Sequence, residues 1–380
     1  MQHTVDLYCF YDDVEDQKNI SEVSRYCNDF HVERIQWLGS RFRSLAAMVR
    51  GEAFSTSFFY SNSMANAIDD ALRSRTYDLI WVFSSSMADY VRGRQGIPKV
   101  LDMVDIDSEK WDQYAQRVSP AVGWLWKYES RSLGRYEAVL VSQFDMTLLC
   151  TATERDSLRR KILSGGVEVL GNALDTTYFS REGVTVPDDI KRWQPYVIFS
   201  GAMDYVPNID AAEYFCREIL PLVRRKIPKM RFVIAGMNPS RAVRRLAKDN
   251  EILVTGPVAD MRPYLCGAAV AVAPMRLSQG IQNKVLESLA MGLPVVTTGR
   301  IAATLPRDVA SLLLVADEPQ SFADHVWGAI KGNKGVARES VRRVLQQEYG
   351  SSRVAECLHR IVTTVTEGTK TELSSVSGGL

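Results

Sequence analysis

The sequence predicts an α/β protein built from two doubly wound domains. Its length of 380 residues exceeds what a single hydrophobic core usually serves. Short apolar runs alternate along it with amphipathic helical segments, which is typical of parallel sheets with helical crossovers. Two of these runs, Val233–Ala235 and Val270–Ala273, are apolar at every position. Strands of that kind are buried on both faces, so helices are expected on both sides of each sheet.

The apolar runs give the predicted order of strands. They are Val5–Tyr11, Leu79–Phe83, Lys99–Val104, Ala138–Ser142, Tyr196–Gly201, Arg231–Gly236, Ile252–Gly256, Ala268–Pro274 and Pro294–Thr298. Helical structure is predicted from Ile209 to about Lys226 and from Gln320 to Thr366.

A polar segment between Phe179 and Tyr196 interrupts this alternation. It contains Gly, Pro and Asp residues, as linkers between compact units often do. We therefore expect a domain boundary near residue 190, which gives an N-terminal domain at 1–190 and a C-terminal domain at 191–366. Residues 367–380 are small and polar and are predicted to form a disordered tail.

Composition narrows the function classes. The chain has 46 Lys plus Arg and 45 Asp plus Glu, so no overall charge favours a nucleic-acid partner. Its six cysteines are scattered, without the close spacing of a zinc or redox pair. The first residues do not resemble a secretory signal, and no apolar run is long enough to cross a bilayer. A cytoplasmic location is expected.

The segment Ala121–Tyr136 has two interpretations. It contains Trp124, Trp126 and three basic residues at helical spacing. Such a helix can rest on a membrane surface, which would place the protein peripherally at the inner face of the plasma membrane. More often such a helix packs its aromatic side chains inward.

The segment Ala273–Thr298 predicts a ligand site, because it has the pattern strand, loop, helix, turn and strand. Loops at the carboxyl ends of parallel strands are where α/β proteins bind ligands. Gly280 allows close approach to a helix N-terminus and Lys284 adds a positive charge, which together suit a diphosphate. Glu287 follows Asn283 by one turn and can accept hydrogen bonds from the vicinal hydroxyls of a ribose. The alternative is an ordinary crossover with a local Lys284–Glu287 pair.

The sequence resembles a known family, glycosyltransferase family four. The clearest motif is Gly-Ile-Gln-Asn-Lys-Val-Leu-Glu (280–287) followed by Ala-Met-Gly-Leu-Pro-Val-Val (290–296). Four further stretches support it: 83–91, 101–111, 200–208 and 254–264. The similarity is greatest to the sugar transferases of exosortase/PEP-CTERM and exopolysaccharide gene clusters, and it covers most of the chain.

The resemblance implies the GT-B fold, in which two Rossmann-like domains face a cleft. It also implies retaining transfer of a sugar from a nucleotide diphosphate sugar to a hydroxyl of a growing, lipid-linked glycan. In that family Glu287 would hold the ribose and the preceding loop the diphosphate and sugar. The implied donor-binding residues are Gly201, Arg276, Gln279, Gly280, Asn283, Lys284 and Glu287.

Two departures from the family concern this donor site. Gln279 stands where the family usually has a second glutamate, and the turn Gly201–Asn208 lacks the usual Arg and Lys. We therefore assign the charge that meets the diphosphate to Arg276 and Lys284.

An acidic run follows the strand Lys99–Val104 and supplies the catalytic candidates. Asp105 first, and Asp102 second, could orient or deprotonate the acceptor hydroxyl, while Asp107 is expected to cap the next helix. No metal or other cofactor is predicted, because no histidine or chelating pattern accompanies the run. Trp111 and Tyr114 could stack on an acceptor sugar or pack in the core.

The resemblance also implies a difference at the N-terminus. Family members start with a strand, a Gly-rich loop and a helix before the strand that Val5–Tyr11 matches. From this we expect either a truncated reading frame or a rearranged first domain. The alternative function is accordingly a degenerate, noncatalytic subunit that binds a nucleotide sugar or a partner transferase.

Overall fold

A computed structural model of the chain describes residues 3–12, 14–332 and 338–377. The chain falls into two compact units. The first consists of Met1–Leu149, Glu154–Val169 and Arg360–Leu380, and the second of Cys150–Thr153 and Leu170–His359.

The first unit has its parallel strands in two separate sheets. The strands are β1 (Asp6–Tyr11), β2 (Asp29–Arg34), β3 (Ile80–Phe83), β4 (Lys99–Val104), β5 (Met146–Leu149) and β6 (Val167–Val169). β1 pairs with β2, and the other four form a sheet of order β3-β4-β5-β6. The helices are α1 (Val14–Val23), α2 (Trp37–Val49), α3 (Phe54–Phe58), α4 (Asn62–Ser74), α5 (Asp107–Ala115), α6 (Pro120–Val141) and α7 (Ala152–Arg159), with a 3₁₀ turn at Ser85–Tyr90.

The second unit is one parallel sheet with helices around it. Its strands are β7 (Tyr196–Ser200), β8 (Arg231–Ala235), β9 (Ile252–Val254), β10 (Val270–Ala273), β11 (Val295–Thr297) and β12 (Leu314–Val315). Its helices are α8 (Asp188–Lys191), α9 (Val206–Tyr214), α10 (Leu220–Lys226), α11 (Arg241–Leu246), α12 (Arg262–Gly267), α13 (Asn283–Ala290), α14 (Gly299–Ala302), α15 (Arg307–Ala310), α16 (Pro319–Ile330) and α17 (Arg338–Tyr349). The last helix, α18 (Ser351–Ser377), starts in this unit and ends in the first.

The strand order of the second unit shows where a ligand is expected. The order is β12-β11-β10-β7-β8-β9. All pairs are parallel, but successive strands are added in one direction from β7 and in the opposite direction from β10. Both strands are fully buried, as their apolar sequences require. The loops after β7 and β10 therefore meet at the point where doubly wound sheets bind ligands.

The predicted α/β class with parallel sheets is confirmed, while one predicted strand is wrong. Ala138–Ser142 was expected to be a strand but forms the end of α6, where Leu140 and Val141 are fully buried. A short apolar run cannot distinguish a buried strand from the buried end of a helix. The strand of this region is β5. The sequence also gave no indication of β2, β6 and β12, which are short or mixed in polarity.

The predicted boundary and tail differ from the structure. The backbone N–H of Leu174 donates to the carbonyl of Tyr349 (2.7 Å), and Phe179 and Ile190 pack on the core of the second unit. The polar segment before residue 190 is thus part of the second unit. Residues 367–377, expected to be disordered, continue α18, and residues 378–380 lie outside the described residues.

Among residues 3–12, 14–332 and 338–377, no helix is both long and apolar enough to cross a membrane.

Candidate functional site

The centre of the candidate site is a contact between the loop after β7 and helix α13. Gly201 directly follows β7 and has φ of 149°, and a Cβ there would lie 3.1 Å from Nζ of Lys284 and 2.8 Å from Nδ2 of Asn208. Nζ of Lys284 donates to Oδ1 of Asn208 at 2.5 Å. Asn208 is held in turn because its Nδ2 donates to the carbonyl of Ala202. Glycine at 201 therefore leaves the space that Lys284 occupies.

Lys284 is a cation in an apolar setting. Its Nζ lies 4.7 Å from the ring centroid of Phe199, a residue of the buried strand β7. Burial lowers the pKa of Lys284 to about 7, and Glu287 opposes that shift. An anion placed beside Nζ would favour the charged form and raise this pKa again.

Glu287 lies one turn further along α13. Burial raises the pKa of Glu287, and the charge of Lys284 lowers it by a smaller amount. Its carboxylate accepts no hydrogen bond from any residue within the described ranges. A half-buried carboxylate of this kind is costly unless a ligand supplies donors. The arrangement suits two neighbouring hydroxyl groups.

Arg276 is directed toward α9. Its Nε and Nη2 donate to the two carboxylate oxygens of Asp210 at 3.0 and 2.5 Å, and its guanidinium lies 4.3 Å from the ring centroid of Tyr214. The predicted diphosphate role of Arg276 stays a prediction. In this structure Asp210 compensates its charge, so Lys284 is the stronger candidate for that role.

The remaining predicted donor residues lie in the loop after β10 and at the start of α13. Gly280 is buried with φ of 64°, a conformation that favours glycine. Gln279 is partly buried, and its carbonyl accepts from Nε2 of Gln282. Asn283 is exposed, and its Oδ1 accepts from Nδ2 of Asn172 at 3.0 Å.

In the first unit, the acidic candidates Asp102 and Asp105 lie on either side of a strained residue at the end of β4. Val104 has φ of 64°, which is unusual for a β-branched residue, and the pairing of β4 with β5 shifts register there. The backbone N–H of Val104 donates to Oδ1 of Asp102 (3.2 Å), and burial raises the pKa of Asp102. Asp105 follows directly, and its carboxylate lies within 4.8 Å of that of Glu154.

The next helix is capped differently from the prediction. α5 starts at Asp107 after Ile106, and Asp107 pairs with Lys110 instead of capping the helix. The fully buried Glu137 of α6 takes the capping role, because its carboxylate accepts from both the backbone N–H and Oγ of Ser108. This partner is far away in sequence, so the local pattern could not show it.

We expect Glu137→Gln to change the pH dependence of stability. Burial raises the pKa of Glu137 to about 7, so between its ordinary pKa and 7 only the folded state holds the proton. The free energy of unfolding then falls as the pH rises through this window. The free energy of unfolding of Glu137→Gln should equal that of the wild type at pH 5 and exceed it by roughly 1–3 kcal/mol at pH 8.

Urea unfolding at the two pH values measures this difference. Glu137→Ala is the control, because it removes the acceptor for Ser108 and should destabilise at both pH values by about 1–3 kcal/mol. Equal effects of Glu137→Gln at pH 5 and pH 8 would contradict the assignment.

The aromatic residues after the acidic run pack against one another and against α6. The ring of Trp111 stacks on that of Trp126 at 4.7 Å between centroids, and Tyr114 is buried beside it. Acceptor stacking by Trp111 and Tyr114 is therefore the weaker of the two interpretations. The two tryptophans of Ala121–Tyr136 differ in exposure. Trp126 packs against Trp111, whereas Trp124 is 64% exposed.

Three residues of the site were not predicted: Asn208, Asp210 and Tyr214. All lie on α9, which supplies the partners of both Lys284 and Arg276. The stretch 200–208 contains one of the motifs that resemble the family, but nothing local in it indicates that Asn208 would meet a lysine 76 positions away.

Comparison with known proteins gives one family match and several structural matches. A family model described as glycosyl transferases group 1 matches residues 194–331, the part of the chain that carries the donor candidates. A search among curated proteins gives no match.

Several solved structures share the fold over nearly the whole chain. Sucrose-phosphate synthase from Thermosynechococcus elongatus has a TM-score of 0.65 at 12% identity, covering 96% of this chain and 99% of its own. HepE from Anabaena, solved in complex with UDP, has a TM-score of 0.60 at 13% identity, covering 98% and 100%. A UDP-forming α,α-trehalose-phosphate synthase from Burkholderia xenovorans has a TM-score of 0.60 at 11% identity, covering 96% and 99%.

These findings define the class of protein as a glycosyltransferase with the GT-B fold. The predicted fold class and the predicted enzyme class are both confirmed. More particularly, residues 194–331 of the second unit are similar to the glycosyl transferases of group 1.

Proposed function

We propose that the chain transfers a sugar from a nucleotide diphosphate sugar to a hydroxyl of a lipid-linked glycan, with retention of configuration. The names of the similar structures support a nucleotide sugar donor, since HepE was solved with UDP and with UDP-glucose. Retention, the lipid-linked acceptor, a role in bacterial exopolysaccharide assembly and a cytoplasmic location rest on the sequence resemblance to glycosyltransferase family four.

The pair Lys284 and Glu287 carries the proposal. One helix presents a partly buried lysine whose pKa is lowered to about 7 by burial and, one turn later, a carboxylate without a donor among the described residues. A nucleotide diphosphate satisfies both groups, with its phosphates at Lys284 and its ribose hydroxyls at Glu287. As the sugar leaves, negative charge grows on the diphosphate, and Lys284 together with the N-terminus of α13 stabilises it.

On the acceptor side, we propose that Asp105 orients or deprotonates the acceptor hydroxyl and that Asp102 assists. Both lie at the carboxyl end of β4, where the backbone is strained. Strain of this kind is often found at functional sites. No metal takes part in the proposed reaction, so turnover should be unchanged by EDTA.

A screen of nucleotides tests the donor assignment. Thermal shift and calorimetry of the purified chain with UDP, GDP and their sugar conjugates should show selective binding, because a ligand of the folded state raises its stability. A folded chain that ignores every nucleotide would contradict the proposal and favour the noncatalytic alternative.

We also expect nucleotide binding to take up a proton at pH 8. Free Lys284 is then mostly neutral, since burial lowers its pKa to about 7, and a diphosphate restores the charged form. Calorimetry in two buffers of different ionisation enthalpy should report an uptake that declines toward pH 6. The variant Lys284→Met should lack this uptake, and an equal uptake in it would assign the proton to another group.

An exposed apolar face of the first unit supports a lipid-linked acceptor. On α2, Phe42, Leu45 and Val49 are 74%, 56% and 81% exposed and lie at helical spacing on one side. α6 packs against the end of this helix, because Oη of Tyr128 donates to the carbonyl of Met48 (2.9 Å). Exposed Trp124 contacts the ring of Tyr128 and extends the same region. We propose that this apolar face rests on the membrane that holds the acceptor.

Binding to vesicles tests the apolar face. We expect the chain to bind vesicles of phosphatidylcholine with phosphatidylglycerol in a flotation assay, and Phe42→Glu with Leu45→Glu to weaken binding at least about tenfold. The control is Leu163→Glu, which replaces a fully exposed leucine elsewhere in the same unit. If the double variant binds vesicles as well as the wild type does, or if the wild type does not bind, the apolar face is not a membrane contact.

A further inference from the structure

A groove runs between two strand edges of the first unit. Its volume is about 650 Å³, and its long sides are β1 with Asp12 and the segment Leu79–Ser84. The rest of its lining is largely apolar and comes from α4, the 3₁₀ turn and the residues around them. β1 pairs with β2 alone and β3 with β4 alone among the described strands. Both edges that border the groove are therefore open.

The backbone groups of β1 that face away from β2 can be identified. The carbonyls of Val5 and Tyr11 accept hydrogen bonds from the β2 side, from Asn28 and Ile35. Because successive residues of a strand point their N–H and C=O groups to alternate sides, the odd positions face β2. Tyr8 and Phe10 thus direct their backbone groups to the open edge.

The same reasoning applies to β3. The N–H groups of Ile80 and Ser84 donate to carbonyls of the β4 side, at Pro98 and Asp102. Even positions therefore face β4, and Trp81 and Phe83 direct their backbone groups to the groove.

The two edges run in the same direction. Asp6, at the start of β1, accepts from Oη of Tyr77 at 2.8 Å and pairs with Arg75, both of which shortly precede β3. The starts of β1 and β3 therefore lie at one end of the groove. An extended segment running parallel to both could pair with each edge at the usual spacing of about 4.8 Å.

The burial of the strands also indicates an incomplete sheet. All six residues of β1 are only partly buried, and Phe83 of β3 is 65% exposed. By contrast, all five residues of β7, an interior strand of the second unit, are buried. Parallel strands are normally covered on both faces, so β1 and β3 have the burial of strands that lack a neighbour.

We propose that this groove binds one extended, apolar strand of a separate polypeptide, in parallel orientation to β1 and β3. The added strand would join the sheets of two and four strands into one sheet of seven. The side chains along its middle should be uncharged, because among the described residues of the lining only Asp6 and Asp12, near the two ends, are charged. A second copy of the chain is a poor occupant, since a central strand needs two free edges and each of the twelve described strands is already paired.

Amide hydrogen exchange with a synthetic peptide tests the proposal. The probe is Lys-Thr-Val-Ile-Val-Ile-Thr-Lys with blocked ends, added to the full chain and followed by NMR. The amides of Tyr8, Phe10, Trp81 and Phe83 should exchange rapidly in the free chain and at least about tenfold more slowly with peptide. The amides of Leu7, Cys9 and Val82 face β2 or β4 and serve as internal controls, because they should be protected in both states.

Two modified peptides make the test specific. N-methylation at odd positions removes the donors to one edge of the groove, and N-methylation at even positions removes those to the other. Each should weaken binding at least about tenfold if the strand pairs on both sides. In the chain, Ile68→Trp should fill the groove and abolish binding, and the methylated peptides keep the test decisive if this variant does not fold.

Three results would overturn the proposal. One is the absence of added protection at millimolar peptide. Another is equal binding of the methylated peptides, which would indicate nonspecific apolar contact. The third is protection of the four amides without peptide that grows with protein concentration, which would place a second copy in the groove.

Discussion

Lys284→Met should lower turnover by about 10²–10³-fold while leaving the protein folded. The expected loss is that of one electrostatic contact to the charge that develops on the departing diphosphate. Methionine keeps most of the apolar length of the side chain, so the packing against Phe199 should survive. The measurement is steady-state transfer with the sugar nucleotide that the wild type binds in the screen.

The same variant should be more stable than the wild type. Burial lowers the pKa of Lys284 to about 7, so between pH 7 and its ordinary pKa only the unfolded state holds the proton. The free energy of unfolding of the wild type therefore rises with pH in that window. Below pH 7 the wild type bears the full cost of holding the charged amine of Lys284 in a buried position. Removing the amine should raise the free energy of unfolding at pH 7 by roughly 1–3 kcal/mol, after the loss of the hydrogen bond to Asn208.

Lys226→Met is the matched control. Lys226 is an exposed lysine of the same unit, paired with Asp324, and its replacement should change neither turnover nor the pH dependence. A gain in stability with loss of turnover identifies a group that is kept for function at a cost to the fold. Full turnover of Lys284→Met would remove Lys284 from the proposed mechanism.

The donor region was predictable because its signals are local. The strand, loop, helix and strand from Ala273 to Thr298 follow one another directly, and the structure has β10, α13 and β11 there. Helical periodicity alone placed Lys284 and Glu287 one turn apart on the same helix. Burial of both side chains in the folded second unit then explains their shifted pKa values.

The partners of these residues were not predictable, because they come from distant parts of the chain. Asn208 and Asp210 meet Lys284 and Arg276 only after β7 and β10 pair in the sheet. For the same reason the sequence predicts an available charge at Arg276, which Asp210 compensates in the structure. Similarly, the end of α6 has the apolar character of a strand, and only its packing shows that it is a helix.

Glu287→Ala should weaken binding of the donor nucleotide by about 10²- to 10⁴-fold. Each ribose hydroxyl that donates to a charged acceptor contributes about 1.5–3 kcal/mol, and the variant loses both. Glu287→Gln retains one good acceptor and the volume of the side chain, so its loss should be nearer tenfold. Because burial raises the pKa of Glu287, the glutamine variant should be at least as stable as the wild type at pH 7, and its weaker binding would not reflect unfolding.

A 2′-deoxynucleotide identifies the contact itself. The wild type should bind 2′-deoxy-UDP, or the corresponding deoxy form of the nucleotide selected in the screen, at least about tenfold more weakly than the ribonucleotide. If the missing hydroxyl is the partner of Glu287, this penalty should nearly vanish in Glu287→Ala, because the two changes remove the same interaction. Glu318→Ala, at an exposed glutamate of the same unit, should keep the full penalty. An equal penalty in wild type and Glu287→Ala would instead place the ribose away from α13, with Lys284 alone retained as the diphosphate contact.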